Sequence, residues 1–153
     1  MEQLFTDMTE RLETLYKAIA AAVEALPAEA LDWKPAPEMN SFAVLLAHTA
    51  GALRYWVGDV AGERASGRVR AQEFETHGLD TAALLGRLRA AVDESRDVLA
   101  TLDPARLGEV RTAGMFNEQR TVAFALLHGL EHTAIHTGHL QMTRQLWDQQ
   151  QAQ

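Results

Sequence analysis

The chain has 153 residues, a length that suits one domain and lets it bury roughly 70% of the surface its unfolded form exposes. Its net charge is −7, and Arg64, Arg68 and Arg70 form its one local basic group, which argues against a surface that tracks nucleic-acid phosphates. Cysteine is absent, so disulfides, thiolate metal ligands and a cysteine nucleophile are excluded, and any thiol chemistry would use an imported thiol. The first residues carry acids where a signal peptide carries a basic region and an apolar core. No window holds about 18 uninterrupted apolar residues. The expectation is a single-domain cytoplasmic protein spanning residues 1–153, without a membrane segment.

Helical spacing runs through almost the whole chain. Leu4, Met8, Leu12, Leu15, Ile19, Val23 and Leu26 recur at intervals of three and four and draw one stripe down a first helix that Pro27 ends. The segment from Pro27 to Asn40 holds three of the four prolines and reads as an ordered crossover. Asn40 or Ser41 then caps a second helix whose stripe is Phe42, Leu45, Thr49, Leu53, Trp56 and Val60, with His48 and Tyr55 on its flank. Gly62 to Gly78 reads as a polar loop. Asp80 or Thr81 opens a third helix with Leu84, Leu85, Leu88, Val92, Leu99 and Leu102 on its stripe, broken at Asp103 and Pro104. Thr121 starts a last helix that continues to about Trp147. No alternating strand pattern competes. Four helices of about 30 to 40 Å follow from the rise per residue, which predicts an all-α four-helix bundle with long crossover connections.

Four of the six histidines fall within the last helix, at His128, His132, His136 and His139. Val122, Ala125, Leu126, Gly129, His132, Thr133, His136, Leu140 and Thr143 share one stripe at the helical repeat, so two imidazoles occupy core-facing positions. Residues four apart are stacked neighbours, and His132 and His136 can therefore point at one place and hold a metal ion. The same spacing also suits two buried histidines hydrogen-bonded to their neighbours. His128 and His139 lie at the edge of the stripe. Glu131 points about a quarter turn from His132. His48, taken alone, reads as a satisfied polar residue in an apolar helix.

Three stretches, LDWKPAP, NSFAVLLAHTAGALRYW and LLHGLEHTAIHTGHLQMTRQL, resemble the DinB and YfiT-like superfamily of metal-binding four-helix bundles. The likeness extends over nearly the whole chain, including Arg70, Glu73 and Phe74 in the middle loop and the Leu-Asp-Pro break after the third helix. It implies a divalent ion held by one histidine of the second helix and the pair on the last, which here are His48, His132 and His136. It also implies a polar role for His139, in the slot after Gly138.

Three neutral imidazoles leave the full charge on the ion, so a bound water acidifies towards a pKa of roughly 7 and a bound thiol loses its proton more readily still. Zinc is the first expectation and nickel the second. Relatives of this kind include transferases and isomerases that use low-molecular-weight thiols such as bacillithiol or mycothiol. The resemblance therefore implies a thiol-dependent enzyme acting on a small-molecule substrate, with a metal-dependent hydrolase or a noncatalytic metal-binding or ligand-binding bundle as alternatives. Candidates for the chemistry are His139 and Glu131, with His128 and Tyr55 beside them. Proton competition is expected to empty the site below about pH 6, near the reference histidine pKa. Phe5 and Tyr16 on the first helix, and Phe124, Leu127, Ile135 and Met142 on the last, lie outside the main stripes and suggest a homodimer.

Overall fold

The computed structural model describes residues 2–152 and builds four long helices, four short helical turns and one small hairpin. Helix α1 spans Glu2–Val23, a short α2 spans Ala28–Leu31, and α3 spans Phe42–Leu53. From Arg54 to Ala61 the same helix widens into a π turn, closed by a 2.9 Å hydrogen bond from the Gly62 amide to the Val57 carbonyl. Another short helix, α4, covers Arg70–Phe74, and α5 runs Thr81–Thr101. A 3₁₀ turn at Pro104–Gly108 leads into strands β1, Val110–Ala113, and β2, Glu118–Thr121, which pair antiparallel with Val110 opposite Thr121. The last helix, α6, spans Val122–Gln151.

Local chemistry sets the helix starts. Ser41, Asp80 and Thr121 each adopt extended backbone, and their side chains accept hydrogen bonds from Val44, Ala83 and Phe124. Each cap satisfies an amide that the first helical turn leaves without a partner, a contribution of about 1 kcal/mol.

Cross-helix contacts fix the order around the bundle. Glu13 pairs with Arg89 and Arg96, and Arg89 also covers the Tyr16 ring, so α1 packs antiparallel to α5. Arg144 donates to the Ala22 and Glu24 carbonyls while Leu15 lines a groove with Leu127 and Leu130, so α1 runs parallel to α6. His48 meets His132 and His136, and Trp56 meets Phe124 and His128, which makes α3 antiparallel to α6. Arg54 reaches Glu94, and Gly62 abuts Val98, so α3 runs parallel to α5. The pairs α1/α3 and α5/α6 therefore lie on diagonals, and the connections between them cross the ends of the bundle. Two parallel neighbours need a different connection. Residues 62–80 must return along the length of the bundle before α5 can begin, and α4 is formed on that return.

The core is built from all four long helices and is fully closed around Leu12, Ile19, Phe42, Leu46, Leu53, Leu84, Leu88 and Leu140. Helix α3 is buried on almost every side, as a helix apolar all round except at His48 and Thr49 requires. Four details differ from the sequence reading. Leu4 is 50% exposed and Phe5 is buried in its place, because both satisfy a spacing of three or four to Met8 and the larger ring takes the core position. Tyr16 also packs on the core, beneath Arg89. Residues 62–78 include a short helix with a buried acid rather than only polar loop. The connection before α6 contains the β1–β2 hairpin, whose strands of four residues are too short to show alternation. Among the described residues no helix is long and apolar enough to cross a membrane.

Candidate metal centre

His48, His132 and His136 each offer a ring nitrogen, and the three atoms lie within 4.8 Å of one another. The rings pack mainly edge to face, with centroids 4.9 Å apart for His48 and His132, 5.0 Å for His48 and His136, and 4.4 Å for His132 and His136. Helix periodicity places the pair on α6, and the antiparallel approach of α3 brings His48 opposite it. Gly129 permits that approach: a Cβ there would stand 2.9 Å from Val57 Cγ2.

The Nδ1 atoms of the three rings have different surroundings. His48 Nδ1 lies 2.8 Å from Glu73 Oε2, so Nδ1–H donates to the carboxylate and Nε2 is left with its lone pair. Arg68 grips the same carboxylate from the other side, with Nε 2.6 Å from Oε1 and Nη2 2.8 Å from Oε2. Arg68 and Glu73 are both buried, with side chains 5% and 10% exposed. Burial alone would raise the Glu73 pKa, but the hydrogen bonds from Arg68 and His48 outweigh it and hold the carboxyl below its usual range. His136 Nδ1 contacts His139 Nδ1 at 3.2 Å. His132 Nδ1 is buried with no hydrogen-bond partner, an arrangement that costs free energy unless something accepts the lone pair.

Burial is the main reason that His132 and His136 resist protonation, and the neighbouring imidazoles add to it. Their pKa values fall to about 3 and about 4. Both rings are therefore neutral and ready to donate at neutral pH. The donor set fits a divalent first-row ion: three imidazoles, one fixed by a buried carboxylate and one with an unmet nitrogen.

The other sequence candidates are distributed around this centre. His139 is exposed and touches His136. His128 lies one turn before His132, packed edge-on against Trp56 and flat against Phe124. Glu131 is not brought to the three histidines. Its side chain is 70% exposed, 3.9 Å from His128 Nδ1, and it lines the groove between α1 and α6 with Arg11, Leu15 and Leu127. Tyr55 is buried, and its hydroxyl accepts the Met115 amide at 3.1 Å, which ties the hairpin to the π turn. Trp33 and Trp147 pack on each other away from the histidines.

Sequence reasoning placed Glu73 in a polar loop and gave no partner to Arg68. The signals available were the place of Arg70, Glu73 and Phe74 in the family likeness and an arginine five residues before Glu73, and their meaning depends on the return path of residues 62–80 over α3. Phe74 completes that cover, with its ring 5.0 Å from His48. Gly51 makes room beneath it, since a Cβ at that position would stand 2.0 Å from Glu73 Oε1.

The sequence model of the DinB superfamily matches residues 11–140, a span that holds all three histidines and Glu73. The chain belongs to the DinB superfamily. Three solved structures resemble this DinB-superfamily chain. A conserved protein from Enterococcus faecalis has a TM-score of 0.78 at 15% identity, covering 92% of this chain and 95% of its own. A DinB-like protein from Bacillus subtilis gives 0.68 at 16% identity, with 91% and 90% covered. A protein from Streptococcus pneumoniae gives 0.66 at 14% identity, with 95% and 90% covered. At these identities the likeness is one of fold. No curated protein matches the chain.

Proposed function

We propose that this DinB-superfamily protein is an enzyme dependent on a divalent ion, zinc first and nickel second, that joins a low-molecular-weight thiol to a small electrophile. The observation that carries the reading is the set of three imidazoles whose ring nitrogens lie within 4.8 Å, with no fourth protein donor in the cluster among the described residues. Such a set leaves coordination positions for a water or a substrate, as catalytic sites of this kind do. The ion, when bound, supplies a positive charge that lowers the pKa of a thiol or water beside it.

The chain's own residues do the rest. Glu73 fixes the tautomer of His48, and Arg68 fixes Glu73. With His136 donating from Nδ1 to His139 Nδ1, His139 keeps its proton on Nε2 and offers a hydrogen bond to a leaving group. In the reaction the thiol releases its proton to solvent and sulfur forms a bond to carbon. The bond from that carbon to its leaving group breaks, and the group departs with the electron pair. A chain without cysteine has no thiol of its own to compete for this chemistry.

The test incubates metal-loaded protein with a panel of low-molecular-weight thiols and monochlorobimane, and separately with ester and amide substrates. Conjugation faster than the uncatalysed rate, lost in His132→Ala, is the expected result. Turnover of esters or amides without any thiol would replace this reading with hydrolysis, and no reaction in either set would leave a binding protein.

The same proposal includes a homodimer. Leu127, Ile135 and Met142 are 65%, 50% and 55% exposed and share one face of α6. Phe5 and Tyr16 no longer support it, because they pack within the bundle.

A further inference from the structure

Beyond the three histidines, the row of rings on α6 continues without a break. Phe124, His128, His132 and His136 recur every four residues, so their side chains follow one another along a single face. Phe124 and His128 lie parallel, 6° apart with centroids at 5.6 Å. Beside them Trp56, from the π turn, lies parallel to Phe116 from the hairpin tip, 5° apart at 5.6 Å. Trp56 meets Phe124 and His128 at 69° and 70°, so the two parallel pairs form the sides of an angled aromatic wall. The wall joins the metal centre through His128 and His132, 5.8 Å apart.

We propose that this wall, made by Trp56, Phe116, Phe124 and His128, is the subsite for a flat aromatic or conjugated body of the electrophilic substrate. The proposal rests on the enzyme reading above and names the substrate class of that site. Phe116 and Phe124 are 41% and 40% exposed and leave surface open, His128 is half-buried, and the buried Trp56 backs them from within the fold. The Tyr55 hydroxyl fixes the amide next to Phe116, and the Phe116 ring is therefore presented by a tethered loop. Flat rings offered edge and face favour a planar π system, which stacks on one pair and meets the other at its edge. A saturated group of equal size gains only from its area.

The experiment titrates metal-loaded protein, in the absence of thiol, with nitrobenzene, which is flat, and with nitrocyclohexane, its saturated counterpart of about the same size. Calorimetry gives the dissociation constants, and metal content is measured on every variant. The wild type should bind the flat probe more tightly than the saturated one. Phe124→Ala and Phe116→Leu should each weaken the flat probe roughly 3- to 10-fold with metal content unchanged. Leu4→Ala, at an exposed apolar residue on α1, should bind as the wild type does. Equal affinity for the two probes, or wild-type affinity in both Phe variants, would overturn the subsite. If the Phe variants lose the flat probe but no thiol is conjugated to any electrophile, the subsite stands and the thiol-transfer reading fails.

Discussion

Glu73 meets His48 across 25 residues of sequence, at 2.8 Å between Oε2 and Nδ1. The contact makes the basicity of one candidate ligand depend on an acid carried by the connection between α3 and α5. In Glu73→Gln the amide oxygen can still accept the hydrogen bond but carries no negative charge, and metal affinity should fall about 10- to 100-fold. The same change leaves Arg68 buried without its anion and should destabilise the fold by about 3 kcal/mol. Adding Arg68→Met to Glu73→Gln should restore stability but leave affinity low. Competition with a chromophoric chelator and urea titration separate the two effects. Recovery of both together would mean that Glu73 serves the fold alone.

Metal content is the direct test of the three histidines. One divalent ion per chain is expected in the wild type, and His48→Ala, His132→Ala and His136→Ala should each reduce it severely. His139→Ala should retain it. Elemental analysis of dialysed protein reads this, and undiminished content in both α6 variants would remove the pair from the site.

Acid should unsettle the metal-free protein earlier than it unsettles the metal-bound one. In the unfolded chain both α6 imidazoles titrate near 6.5, while in the folded chain they take protons only at about 3 and about 4. Between those limits the unfolded state binds more protons, so stability falls as the pH drops from about 6.5 towards 4. Urea midpoints of the apo protein at pH 7.5 and pH 5 should differ, and the difference should shrink in His132→Leu/His136→Leu. The same depressed values move proton competition at these two ligands well below the pH 6 that an ordinary histidine suggests. Retained metal at pH 5.5 is the matching observation.

Two glycines should respond in opposite ways to alanine. Gly138 has open space where a Cβ would go, so Gly138→Ala should stabilise α6 by about 0.5 to 1 kcal/mol through helix propensity. Gly51→Ala places a methyl against Glu73 Oε1 and should lower metal affinity although no ligand is touched. Thermal melts and metal titration of the two variants give the comparison, and equal metal affinity in both would dissociate Gly51 from the Glu73 cradle.

The homodimer predicts that Met142→Glu and Ile135→Glu, both at exposed positions, leave the fold intact and halve the mass seen by light scattering. A wild-type mass of about 17 kDa at every micromolar concentration would reject the dimer.

What could be read from the sequence follows from how local each cause is. Ser41, Asp80 and Thr121 cap helices through residues three positions on, and the spacing of His132 and His136 is a property of one helix. The histidine spacing was legible, and the first two caps were legible to within one residue, as Asn40 or Ser41 and Asp80 or Thr81. Leu4 and Phe5 were not distinguishable, since each keeps step with Met8, and only the packing against α5 selects the ring. Glu73 and the aromatic wall depend on chain direction: α3 must run parallel to α5 before residues 62–80 pass over His48, and the hairpin must cross to α6 before Phe116 reaches Trp56. No window of sequence contains either fact.

The return path of residues 62–80 separates two kinds of constraint. The three imidazoles project from helices whose core packing fixes their direction, so a change near them risks the fold. Their partner acid rides on a segment that only a few side chains anchor. Lengthening, shortening or re-aiming that segment would shift how firmly an ion is held while the bundle underneath is inherited unchanged. Changes confined to that one connection would therefore act on the candidate site through Glu73 and Phe74, which both meet His48.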